Sequence, residues 1–121
     1  MGKRIMIVDD AAVMRLMLKQ LLTKSGYEIC AEVANGAEAV AMYPQAKPDL
    51  VTMDITMPDM DGITAVQQIL KLDPSAKIVM CSAVGTVEKV KSAILAGAKN
   101  FLVKPLQADK VIATIQQVLG E

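Results

Sequence analysis

Residues Asp49–Leu72 read DLVTMDITMPDMDGITAVQQILKL, and the fold follows from this stretch. Asp49–Met53 is mostly apolar and β-prone, and the run ends on a carboxylate, Asp54. Ile55-Thr56-Met57-Pro58 breaks the pattern, because proline cannot donate to a strand ladder. Asp61-Gly62 then opens a helix through Leu72, with Ile63, Val66, Ile69 and Leu70 on one face. A buried strand leading into an amphipathic helix is one βα unit.

The unit recurs on both sides. Upstream, Arg4–Val8 reads as a strand, and Ala11–Lys24 carries Val13, Met14, Met17, Leu18, Leu21 and Leu22 at helical spacing. Met14 and Met17 are expected as core filler on that helix. Ser25-Gly26 closes it, with the glycine just past the helix end. Tyr27–Val33 alternates apolar and polar residues, as a strand with one wetter face does. Asn35-Gly36-Ala37-Glu38 forms a capping box and opens a helix to about Tyr43, with Pro44 and Pro48 as punctuation. Downstream, Asp73-Pro74 ends the central helix and Lys77–Cys81 is a fourth strand. Thr86 or a neighbour caps a helix through Ala96, closed by Gly97. Asn100–Val103 is the fifth strand and Ala108–Leu119 the last helix. Five alternating units imply parallel pairing through right-handed crossovers, and a closed barrel of the common kind needs eight. The expected architecture is α/β: a single doubly wound five-stranded parallel sheet, order 2-1-3-4-5, with five helices, flavodoxin-like (βα)5. The 121 residues suffice for one such domain, spanning 1–121.

Composition narrows the chemistry. Thirteen Lys and Arg balance thirteen Asp and Glu, which argues against nucleic acid as the main partner, since counterion release needs a basic surplus. The chain has no His and no Trp. Imidazole zinc sites, Ser-His-Asp triads and base-stacking platforms are therefore disfavoured. Cys30 and Cys81 show no metal or redox spacing, and each sits in an apolar run, so buried free thiols in a reducing compartment are expected. The apolar stretch Ile5–Val8 is too short for a signal peptide, and no run approaches the ~20 residues of a membrane span. A cytoplasmic protein without membrane partners is the expectation.

In an open parallel sheet, ligands bind beyond the C-terminal strand ends. There the sequence places Asp9 and Asp10 after strand one, Asp54 after strand three, Ser82 after strand four and Lys104 after strand five. Taken singly, Asp10 reads as a helix cap, Ser82 as a turn residue and Lys104 as a solvated charge. Taken together, they read as a site. Three close carboxylates repel unless a cation relieves them. Mg2+ suits an all-oxygen set with waters, and the remaining carboxylate can attack a phosphoryl group. Metal, ammonium and hydroxyl would then neutralise and position that group.

The motifs IVDD (Ile7–Asp10), DDAAVMR (Asp9–Arg15), VTMDITMPDMDG (Val51–Gly62), CSA (Cys81–Ala83) and AGAKNFLVKP (Ala96–Pro105) resemble the receiver domains of two-component response regulators. The likeness is specifically to stand-alone chemotaxis regulators of the CheY type, and it covers essentially the whole chain. The resemblance implies Asp54 as phosphoacceptor, and Mg2+ held by Asp9, Asp10, Asp54 and the main-chain carbonyl of Thr56. It further implies Ser82 as a switch hydroxyl, Lys104 on a phosphoryl oxygen, Phe101 in the place of the aromatic switch residue, and a cis bond before Pro105. Phe101 departs from the tyrosine of the enterobacterial protein. Thr56 and Val84 occupy positions that tune hydrolysis in the family, and the apolar Val84 leads us to expect a long-lived phosphoryl group.

The implied partners are a CheA-type histidine kinase, the flagellar switch protein FliM and a phosphatase acting on CheY-type proteins; a monomer without nucleic-acid or membrane partners is expected. The implied readout face draws on Val87–Leu95, Asn100, Phe101, Leu102 and Lys104–Val111, made locally basic by Lys89, Lys91 and Lys110. Because the five units use all the residues, that face is expected to deliver the output itself. On this reading the chain is a signalling protein that catalyses only its own phosphorylation and dephosphorylation. The alternative within the family is a phosphorelay receiver that passes its group to a histidine phosphotransfer protein. A haloacid-dehalogenase-like phosphatase would need an acid where Thr56 stands, and a flavin binder would need a phosphate loop where Asp9-Asp10 stands.

Overall fold

The computed structural model describes residues 2–57, 60–83 and 85–121. Five strands alternate with five helices: β1 (Arg4–Val8), α1 (Ala12–Lys24), β2 (Glu28–Val33), α2 (Gly36–Ala46), β3 (Leu50–Asp54), α3 (Gly62–Leu72), β4 (Ile78–Ser82), α4 (Val87–Ala96), β5 (Asn100–Val103) and α5 (Ala108–Leu119). The strands form one sheet in the order β2-β1-β3-β4-β5, every pair parallel. This is the topology expected from the sequence. No described helix is long and apolar enough to cross a membrane.

The side-chain period of two divides each central strand between two cores. Met6, Val8, Val51, Met53, Ile78 and Met80 pack with Ala39, Tyr43, Val66 and Ile69 beneath α2, α3 and α4. Ile5, Ile7, Leu50, Val79 and Cys81 pack with Leu18, Leu22, Val111 and Ile115 beneath α1 and α5. The middle strands are covered on both faces, which is why they are almost wholly apolar.

Three helices start where the caps say they should. Asn35, Asp61 and Thr86 each accept a backbone N–H three residues on, from Glu38, Thr64 and Lys89. Gly26 and Gly97 adopt φ 95° and 115°, conformations open to glycine at a helix end.

Four expectations need correction. Helix α2 runs through Pro44 to Ala46 instead of ending near Tyr43. Proline there forfeits one bond in the last turn, and the exposed ring meets no core. The stop comes instead at Lys47, which is left-handed (φ 49°) and is followed by Pro48. Met17 is no core filler: it is 48% exposed, and Val13 beside it 69%. Helix α1 buries only Leu18 and Leu22 fully, a narrower stripe than its apolar positions suggest. Of the two free thiols, Cys81 is buried but Cys30 only partly, because edge strand β2 is covered on one side by β1 alone. Leu102 and Val111 belong to the α1/α5 core and leave the expected readout face.

Candidate functional site

The site is assembled at the C-terminal edge of the three central positions of the sheet and at the end of β5. Asp9 follows β1 directly, and its N–H bonds the Val33 carbonyl, so the chain leaves the sheet in a fixed direction. Asp54 is the last residue of β3, in register with Cys81 on β4. Ser82 closes β4 and pairs with Val103; Lys104 follows β5, its N–H on the Ser82 carbonyl at 2.8 Å. The Lys104–Pro105 bond is cis.

These groups are far from ordinary surface charges. Asp9, Asp54 and Ser82 are all buried, at 2%, 6% and 2% exposure, whereas Asp10 and Thr56 are exposed. One carboxylate oxygen from each of Asp9, Asp10 and Asp54 lies within 4.8 Å of the others. The Lys104 ammonium donates to Asp9 Oδ2 at 2.9 Å and stands 3.6 Å from Asp54 Oδ2. Burial pushes the Asp54 carboxyl up to about 6; Lys104 and a Thr56 backbone hydrogen bond oppose this, while Asp9 and Asp10 add to it. Lys104 is lowered by burial, but its bond to Asp9 and the nearby acids outweigh that and raise it. Cys81 is pushed to about 12 by burial, so it stays a neutral thiol beside the acids.

One ammonium against three carboxylates leaves the cluster short of positive charge. The donor set is oxygen alone, with one ligand exposed to solvent and two buried. That fits a hard dication that keeps some waters, and it fits Mg2+ better than a softer metal. The structure brings together Asp9, Asp10, Asp54 and Lys104, and places Ser82 at the end of the neighbouring strand β4.

Phe101 is separated from Asp54 by the sheet's alternation. It is half-buried and packs in the α2–α4 core, in register with Met80. Ser82 pairs with Val103, two residues on, and so shares the face of Phe101. Asp54 and Leu102 point to the α1/α5 side. Val84 lies outside the described residues.

Two features escaped the sequence reading. Asp10 does not cap α1: the N-cap is Ala11, with no side-chain cap bond. Asp9 does part of that work instead, its Oδ1 accepting the Ala11 N–H at 2.9 Å. Arg15 Nη1 donates to the Asp9 carbonyl at 2.5 Å. The Asp9–Arg15 motif contained this arginine, but spacing along a helix does not reveal a bond to a main-chain oxygen.

Comparison with known proteins agrees with this geometry. The chain is 57% identical to the chemotaxis protein CheY of Thermotoga maritima over 118 residues, covering 98% of each chain. It is 57% identical to the chemotaxis protein CheY of Bacillus subtilis over 120 residues, covering 99% of this chain and 100% of that one. A chain in the crystal structure of the CheX–CheY–BeF3–Mg2+ complex from Borrelia burgdorferi superposes with a TM-score of 0.93 at 41% identity, covering 96% of this chain and 88% of that one. The model of the response regulator receiver domain matches residues 5–116, a span that runs from β1 into α5 and encloses every strand-end group described above, so the chain belongs to the response regulator receiver domain family.

Proposed function

We propose that the chain is a cytoplasmic phosphorylation-dependent switch of bacterial chemotaxis, in which Asp54 accepts a phosphoryl group from a CheA-type histidine kinase. The observation that carries this reading is Asp54 itself. It is a buried carboxylate at the end of a central strand, with two further carboxylates within 4.8 Å and an ammonium at 3.6 Å. Its relatives named as chemotaxis proteins CheY match essentially end to end, which supports a receiver acting as one domain over 1–121.

In the transfer, an Asp54 oxygen attacks phosphorus, the P–N bond of the phosphohistidine breaks, and the imidazole nitrogen leaves with the bond pair. Asp54 must be ionised to attack. Burial works against that, and Lys104 works for it. Asp9, Asp10, Asp54 and the Thr56 carbonyl would hold Mg2+, which when bound supplies charge neutralisation for the carboxylates and the phosphoryl oxygens. Lys104 then pairs with a phosphoryl oxygen, and Ser82 hydrogen-bonds another. A mixed anhydride held among buried groups is hydrolysed only when water reaches it, so the protein catalyses its own loading and unloading and no other reaction.

For the readout, the α4–β5–α5 face offers exposed apolar residues, Val87 (82%), Leu95 (77%) and Val103 (50%), beside Lys89, Lys91 and Lys110. This suits an acidic, partly apolar peptide, and we assign it to FliM. A phosphatase acting on CheY-type proteins is a further partner; the Borrelia neighbour, solved together with CheX, supports partners of that kind. Ser82 and Phe101 share one face of the sheet, which supports Phe101 as the residue that follows the hydroxyl.

The test is chemical. Incubation with acetyl phosphate and Mg2+ should add one phosphoryl mass, and the adduct should be absent with EDTA and in Asp54→Asn. An adduct that persists in Asp54→Asn would displace Asp54 from its role. Binding of a FliM N-terminal peptide only after phosphorylation would establish the motor output.

A further inference from the structure

The turn between β1 and α1 presents two of the three carboxylates, yet it lacks the usual device for holding a helix start. Helix α1 has no side-chain N-cap bond and no acidic residue in its first turn. Asp9 is nonetheless bonded at every polar atom. Its N–H donates to Val33 O, and its Oδ1 accepts from Ala11 N–H. Its Oδ2 accepts from Lys104, and its carbonyl accepts from Arg15 Nη1. Two of these bonds, those of Ala11 and Arg15, span the turn on which Asp10 stands.

Arg15 is peculiar for what it leaves alone. It is half-buried on the first turn of α1, close in sequence to an acidic cluster short of positive charge. Among the described residues it forms no ion pair; the site's ion pairs are made by Lys104. A guanidinium placed for charge compensation would fork onto a carboxylate, where two parallel bonds are available. This one is spent on a main-chain oxygen at 2.5 Å. It thus stays off the carboxylate oxygens that a cation would need.

We propose that Arg15 is a positioning residue for the metal site: by holding the Asp9 carbonyl it fixes the β1–α1 turn, so that the Asp10 carboxylate is presented beside those of Asp9 and Asp54. The inference rests on the metal-binding reading above. It opposes a simple charge argument. Removing a cation near a dication site should tighten metal binding, whereas removing a positioning bond should loosen it. Outer-shell partners of metal ligands are typically worth about 10–100-fold in affinity.

The experiment is calorimetric titration of Mg2+ into the wild-type chain and into Arg15→Met and Arg15→Lys, each unphosphorylated. Arg15→Met keeps the length and loses every donor; it should bind Mg2+ about tenfold more weakly or worse. Arg15→Lys keeps one donor at that end and should recover most of the loss. Thermal midpoints of the metal-free proteins are measured in parallel, and Arg15→Gln takes over the comparison should Arg15→Met not fold. Equal or tighter binding by folded Arg15→Met overturns the proposal, as does a lowered metal-free midpoint with an unchanged Mg2+ affinity. Absence of binding by the wild-type chain overturns the metal reading itself, and this proposal with it.

Discussion

The Lys104 ammonium lies closer to Asp9, at 2.9 Å, than to Asp54, at 3.6 Å. The lysine therefore leans on a carboxylate that a metal would need. It donates a hydrogen bond to Asp9 Oδ2, and a metal must share or displace it. Lys104→Met removes that competitor. The expected outcome is tighter Mg2+ binding, by about tenfold if one charge-assisted bond of roughly 1.5 kcal/mol is released. The same variant should load slowly from acetyl phosphate, since a phosphoryl oxygen loses its cation. Calorimetry reads the first effect and mass spectrometry the second; weaker Mg2+ binding in Lys104→Met would contradict the competition.

A second expectation concerns pH. The Asp54 carboxyl is raised to about 6 in the folded, metal-free protein, from about 3.9 in an unfolded chain. The folded state therefore binds the proton more tightly than the unfolded one, and ionising Asp54 costs stability. Below pH ~4 both states are protonated and the cost is absent; it grows through the interval to about 6 and is constant above. Asp54→Asn keeps the shape and abolishes the charge. It should stabilise the metal-free protein at pH 7.5 by up to about 3 kcal/mol, the worth of about two pK units, and leave it unchanged near pH 3.5. Urea denaturation in EDTA at several pH values checks this. A pH-independent difference would mean that Asp54 is not the group responsible.

How much of this was legible beforehand depends on what each element's signal encodes. The caps at Asn35, Asp61 and Thr86 are local, a side chain bonding a backbone three residues away, and the sequence locates the first two and narrows the third to Thr86 or a neighbour. The strand-end acids were legible because parallel topology leaves few other places for residues that follow buried strands. Helix α1 was misread, since periodicity marks where apolar residues lie on a helix and not whether anything covers them. Val13 and Met17 sit at proper spacing and face outward. The roles of Asp9 and Asp10 at the start of α1 were blurred for a related reason. The bond that holds the turn comes from Arg15, and a main-chain acceptor leaves no mark in the sequence.

Thr52 gives a third expectation. Its hydroxyl is buried at 2% exposure on β3 and has no hydrogen-bond partner among the described residues. It pairs in register with Ile7 and Val79, both apolar and both in the α1/α5 core. A buried unpaired hydroxyl costs roughly 1–3 kcal/mol. Valine has nearly the same shape and nothing to satisfy. Thr52→Val should therefore raise stability by about 1 kcal/mol, seen as a higher urea midpoint at unchanged slope. Phosphorylation by acetyl phosphate should not change, because Thr52 lies two residues below Asp54 and inside the core.

The last expectation follows from how closely α3 approaches the phosphoacceptor. Gly62 is buried as the first residue of α3, and its N–H bonds the Ile55 carbonyl at 2.8 Å. A Cβ at that position would overlap the Asp54 carbonyl and crowd the Ile55 Cα, both of them backbone atoms. Neither can swing aside as a side chain could, so a methyl group must displace either the end of β3 or the start of α3. Gly62→Ala should accordingly be destabilising by about 1–3 kcal/mol, the usual range for overpacking. That loss would come in spite of alanine's better helix propensity, worth about 1 kcal/mol in the opposite direction. It should also slow loading from acetyl phosphate, since the atoms displaced carry Asp54. Ser82 on β4 and Lys104 just past β5 keep their positions, so the defect should be in Asp54 alone. Equal stability and equal loading rate in Gly62→Ala would show that the β3–α3 junction yields more easily than its packing implies.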